Sequence, residues 1–182
     1  MVDESGTVRH VRLSEGDYGE TEALIRQLLV DRNPQAVLPP PTDVPDATPK
    51  EGDTPETYLG AQHEPLHISG PQPQPGAPTA YRFPNDLWPN IFGLSWTWTA
   101  SRQSLNAGPG AQLELNFQAK KVHLVAGGQG HVQVSVDGRP DSSVAVNGPP
   151  TLYTLLEQSQ NQRMTIRLTP EPGVQAYSFT FD

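Results

Sequence analysis

From Thr79 to Asp182, apolar and polar residues alternate in short runs. This is the period of strands that bury one face and wet the other. Residues 95–99, 112–117, 121–126, 131–136, 143–146, 152–156, 164–168 and 175–181 predict about eight strands. Asp137-Gly138 stands between the alternating runs Val132, Val134, Val136 and Val144, Val146, and reads as a hairpin turn. Asn147-Gly148-Pro149-Pro150 is expected to stop the next strand. No stretch here has a helical repeat, which excludes parallel βαβ units. The expected class is all-β, a jelly-roll type β-sandwich of antiparallel strands over residues 79–182.

The pattern is different upstream. Thr7 to Leu13 reads as a strand, and Ala23, Leu24, Ile25, Leu28, Leu29 and Val30 give an apolar helical face after a predicted N-cap at Thr21. One strand and one helix are too little to bury a core. From residue 33 to 78 periodicity vanishes, and twelve of the twenty prolines accumulate. Each proline fixes φ and removes an amide donor, so an extended linker is expected. Residues 54–60 are the exception, an ordered stretch that offers Tyr58 and Leu59 for docking onto another domain.

Charge narrows the partners. Residues 1–64 hold thirteen Asp and Glu against five Lys and Arg, and the remainder holds seven against seven, so the net charge of −8 belongs to the first third. The only adjacent basic pair is Lys120-Lys121, which argues against nucleic acid. No apolar run approaches the roughly 20 residues of a membrane span. There is no cysteine, hence no thiolate nucleophile and no disulfide.

His63-Glu64-Pro65-Leu66-His67 matches the H-E-x-x-H zinc pattern, but Pro65 and Pro71 oppose the helix that this motif needs, and the place of a third histidine is Pro73. No metal or cofactor is expected. His123 and His131, placed on adjacent strands by this reading, lack a third ligand. The acids of the β region offer no evident catalytic pair.

Sugar binding needs flat rings exposed beside amides and carboxylates. Tyr81, Phe83, Trp88, Phe92, Trp96 and Trp98 lie within eighteen residues. Alternation puts Leu94, Trp96 and Trp98 on one strand face, so the simpler expectation is that both Trp96 and Trp98 fill the core. Trp88, in a loop with Asn85 and Asp86 and close to Tyr81, is the better ligand candidate. Outward Gln112, Glu114, Asn116, His131, Gln133 and Ser135 offer a polar face.

Several segments in order carry a family resemblance. They are Val8-Arg9-His10, Glu15-Gly16-Asp17-Tyr18, residues 21–29, residues 54–60, Gly127-Gly128-Gln129-Gly130, Asp137-Gly138-Arg139-Pro140 and the closing residues 172–181. Together they resemble the C-terminal part of the DipZ family of cytochrome c biogenesis and thiol-disulfide oxidoreductase proteins. That resemblance implies a thioredoxin-like remnant at 1–32, a linker at 33–78 and a carbohydrate-binding-like module at 79–182. It also implies a non-catalytic accessory role outside the cytoplasm, with glycan and a thioredoxin-like domain or upstream chain as partners. The alternative is a structural or protein-interaction domain docking through Tyr58 and Leu59, or one half of a split thioredoxin-like protein.

Overall fold

The computed structural model describes residues 1–11, 16–44, 52–62 and 67–182. They divide into two compact units, Met1–Glu51 and Gly52–Asp182.

In the first unit, the Asp3 carboxylate accepts hydrogen bonds from Ser5 N at 2.9 Å and Thr7 N at 3.0 Å, and Val2 bridges Val8. This turn replaces the start of the expected strand, because Asp3 and the left-handed Gly6 (φ 81°) fold the chain back on itself. Arg12 and Leu13 lie outside the described residues. Helix α1 (Tyr18–Arg32) begins ahead of the expected Thr21 cap, at Asp17, whose backbone is left-handed (φ 47°). Its surface carries an i,i+4 pair, Arg26 to Glu22 at 2.7 Å. No residue of α1 is buried, as expected of a helix without a sheet to cover.

The second unit is antiparallel sheet: β1 (Thr57–Tyr58), β2 (Thr79–Tyr81), β3 (Phe92–Ala100), β4 (Leu105–Ala107), β5 (Gln112–Val136), β6 (Arg139–Pro170) and β7 (Val174–Phe181). The ladder runs β1-β7-β4-β3-β5-β6, with β2 on β3, and β7 pairs again with β5. β3, β4, β7 and β5 therefore form a closed ring of pairings around one core. Phe92, Trp98, Leu113, Phe117, Ile166 and Phe179 are fully buried there. Each such side chain contributes about 1.5–3 kcal/mol of apolar burial. Along β5, Leu113, Leu115 and Phe117 point inward while Gln112, Glu114 and Asn116 point outward, the alternation that the sequence predicts.

The all-β antiparallel class holds, but the strands are fewer and longer than the pattern suggests. Three expected strands are the single 25-residue β5, and three more are the single 32-residue β6. The ladder shifts register between Ala119 and Lys121 and between Ala126 and Gly128 without breaking. Asn147-Gly148-Pro149-Pro150 does not end a strand: Asn147 pairs with Gln129, Gly148 with Gly128, and pairing resumes at Thr151 with Ala126. Here β6 pairs only with β5, and an edge tolerates prolines that donate nothing. Asp137 (φ 47°) and Gly138 (φ 75°) make the expected two-residue hairpin, with Val136 paired to Arg139.

Candidate functional site

The outward side of β5 is a row of polar groups, and its cross-strand partners extend it into a surface. Glu114 faces Arg167, Asn116 faces Thr165 and Gln118 faces Arg163. Gln133 and Ser135 follow beyond, opposite Thr169 and Arg167. Arg167 Nε donates to Glu114 Oε1 at 2.6 Å, and its guanidinium lies 5.4 Å from the Phe83 ring centroid. Arg163 donates to Gln118 Oε1 at 3.1 Å and to Asn116 Oδ1 at 3.3 Å. These contacts hold the side chains in fixed positions.

A loop of residues 82–91 closes over one end of this row. It can lie close because Gly93, opposite Glu114, has no side chain: a Cβ there would stand 2.8 Å from Pro84 Cδ. Asn116 Nδ2 donates to Leu87 O at 3.0 Å, and Asn90 N donates to Asn116 O at 2.8 Å. A tight turn, Ile91 N to Trp88 O at 3.2 Å with Asn90 left-handed (φ 62°), then presents the Trp88 ring, which is 69% exposed. Asn85 and Asp86 are exposed beside it. Tyr81 is half-buried and packed against the core, and burial pushes its hydroxyl pKa up.

The other end is marked by a residue that sequence reasoning assigned to the core. Trp98 is buried, but Trp96 is 63% exposed, with a left-handed backbone at φ 61°. For a bulky residue within a strand this is a conformational outlier, costing about 1–3 kcal/mol. Its cause is a change of partner: β3 pairs with β5 up to Ser95–Gln112, and with β4 from Trp98–Ala107 onward. Period two does not survive the junction, and the Trp96 ring turns out. It rests on Gly110, where a Cβ would lie 3.5 Å from the ring. The Ser95 hydroxyl beside it is buried without a hydrogen-bond partner.

Tyr58 is exposed, whereas Leu59 is 0% exposed and belongs to the unit's own core rather than to a surface for another domain. His123 and His131 lie on one strand, β5, not on adjacent ones. Buried His123 contacts Thr154 Oγ1 at 3.0 Å and Asp182 Oδ2 at 3.2 Å. His131 donates its backbone N–H to Glu171 Oε2 at 2.8 Å, and that bond, with the imidazole contact, lowers the Glu171 pKa. Among the described residues no group of three metal-ligating side chains occurs. His63 to Leu66 of the zinc-like pattern lie outside them.

A family model described as "Thioredoxin like C-terminal domain" matches residues 54–182, from the buried Thr54 to the last residue of the sheet. The chain belongs to this family. Over its full length it is 37% identical to Protein DipZ of Mycobacterium bovis, and equally to that of Mycobacterium tuberculosis, which bears out the DipZ resemblance. It spans 26% of the length of these curated relatives. Among solved structures it is similar to a family two carbohydrate esterase from Cellvibrio japonicus (TM-score 0.39, 16% identity, 43% of this chain and 26% of that one). The Clostridium thermocellum enzyme, in complex with cellohexaose, aligns at TM-score 0.41 and 23% identity over 45% of this chain and 28% of that one.

Proposed function

We propose that this chain is a non-catalytic accessory module of a DipZ-type protein that holds carbohydrate on the outer face of β3, β5 and β6. The observation that carries the reading is the exposed Trp88 ring, on a loop whose Leu87 carbonyl is held by the Asn116 amide at the end of a polar row. An indole face stacks on the apolar face of a pyranose, and the adjacent amides meet its hydroxyls. In this reading residues 1–32 are the end of a thioredoxin-like domain, and 33–78 connect it to the module at 79–182. The whole works outside the cytoplasm. A glycan array followed by calorimetry on the intact chain and on Trp88→Ala tests it. Sugar binding that weakens at least tenfold in the variant supports it, and no binding of any glycan at millimolar concentration overturns it.

A second reading, a domain that docks onto a thioredoxin-like partner, is favoured by one row elsewhere on the sheet. Tyr58 pairs with Ser178, Ser178 with Val125 and Val125 with Leu152, which leaves exposed Tyr58 and Leu152 on either side. Titration of a DipZ-type thioredoxin-like domain against the chain and against Leu152→Asp decides this reading, which fails if neither binds.

A further inference from the structure

We infer that the corner where β5 and β6 bend together carries a second binding pocket, built around Glu171 and His131, and that it receives a single pyranose through its vicinal hydroxyls. The ligand's class rests on the carbohydrate reading above; the place and the contacts go beyond it. The pocket measures about 550 Å³, and its lining includes Gln129, His131, Ala145, Asn147 and Glu171. That volume falls within the range of about 300–1,000 Å³ common for small-molecule sites. The pocket is also remote from Trp88. Asp137 N donates to Thr165 O, and Thr165 is paired with Asn116, whose amide holds the Trp88 loop. His131 lies six residues back along β5, about 20 Å away. The loop of residues 82–91, which packs at Gly93, Asn116 and Arg167, does not line the pocket.

The strand register assembles the polar groups. Gln129 is paired with Asn147, and His131 with Ala145. Paired residues share a face with Cβ atoms about 5 Å apart, and residues two apart on a strand are separated by about 7 Å, so the four positions mark out the footprint of one sugar ring. Glu171 closes one side of it. Its backbone N donates to His131 O at 2.8 Å and its carboxylate Oε2 accepts His131 N at 2.8 Å, which fixes the carboxylate before any ligand arrives. There is room for it because residue 130 is glycine: a Cβ there would stand 3.1 Å from Glu171 Cβ and 3.2 Å from Oε2. Among the described residues, the side-chain amides of Gln129 and Asn147 and the Nε2 of His131 meet no hydrogen-bond partner. An amide donates and accepts, as a sugar hydroxyl does. No Lys or Arg lines the pocket, so its carboxylate favours hydroxyl donors over acidic ligands.

The test titrates the intact chain and Trp88→Ala with a panel of methyl pyranosides at millimolar concentration, followed by the amide signals in NMR spectra. In Trp88→Ala, where the first site is disabled, the signals of Gln129, His131 and Asn147 should still shift with the sugar. Adding Glu171→Gln should weaken that binding by about tenfold, the scale of one hydrogen bond to a charged acceptor. Adding Asn147→Ala should weaken it at unchanged Tm, because that amide holds nothing within the protein. Binding in Trp88→Ala that is indifferent to both substitutions would overturn the pocket, and so would the loss of all sugar binding in Trp88→Ala when the wild type binds. Either result leaves the carbohydrate reading standing. A wild type that binds none of the panel, nor any glycan on the array, removes both.

Discussion

The indole Nε1 of Trp98 donates to the carbonyl oxygen of Ser95, three residues back on the same strand, at 3.0 Å, and reaches Gln112 O at 3.2 Å. One buried side chain thus fastens the strand where it leaves β5 and begins to follow β4. The same pin holds the bend that turns Trp96 outward.

Trp98→Phe keeps most of the apolar volume but removes both hydrogen bonds. A loss of about 2 kcal/mol is expected, since buried carbonyls are left short of a donor. Urea denaturation measures it, and a loss below about 0.5 kcal/mol, the size of an ordinary surface substitution, would sink the role of the pin.

The two exposed tryptophans have a spectroscopic consequence. In the double variant Trp88→Phe, Trp96→Phe, the remaining Trp98 should emit at shorter wavelength and resist acrylamide, whereas wild-type emission is largely quenched. Strong quenching in the double variant would mean that Trp98 is not enclosed.

The segment before β2 is expected to be part of the folded unit. Thr54 N donates to Gln118 O at 3.0 Å, Gln118 N donates to Thr54 Oγ1 at 2.7 Å, and Leu59 is sealed in the core. Leu59→Ala should cost about 2–5 kcal/mol. A chain beginning at Gly52 should unfold cooperatively, and one beginning at Ala61 should not; equal melting curves for the two would contradict this.

Two glycines with similar backbones should respond differently to alanine. Gly138 (φ 75°) has open space around it, so Gly138→Ala should cost only the left-handed strain of about 1–2 kcal/mol. At Gly128 (φ 91°) a Cβ would lie 2.2 Å from Gly173 O, and Gly128→Ala should cost about 4 kcal/mol or prevent folding. Thermal melts of both variants compare them directly.

The Glu171 carboxylate, its pKa lowered first by the His131 backbone N–H, ties the turn before β7 to β5. A depressed acid stabilises above its unfolded pKa, and that contribution is lost as pH falls through the folded value. Wild type should therefore lose stability relative to Glu171→Gln as pH falls below the ordinary glutamate range near about 4.3. Parallel curves for the two proteins from neutral to acid pH would show that the contact contributes nothing.

The alternation of Leu113, Leu115 and Phe117 with Glu114 and Asn116 made the sheet and its polar face legible, because one-sided burial imposes a period of two wherever a strand keeps its partners. Asp137-Gly138 was equally plain, since few dipeptides adopt that turn. The breaks assigned at Gly127-Gly128 and at Pro149-Pro150 were bends within continuous strands. Glycine and proline mark both, and only the neighbouring backbone distinguishes them.

What the sequence by itself determined was the all-β class, the inward set of side chains, the lack of thiol chemistry and the family resemblance. All of these follow from residue type and local spacing. What only the tertiary structure decided was that Trp98 goes in and Trp96 goes out, although the two are equivalent by alternation. The reason is that β3 changes partners between them: a side chain's direction there depends on which strands stand alongside, and those strands come from Gln112 and Ala107, beyond the reach of any local pattern.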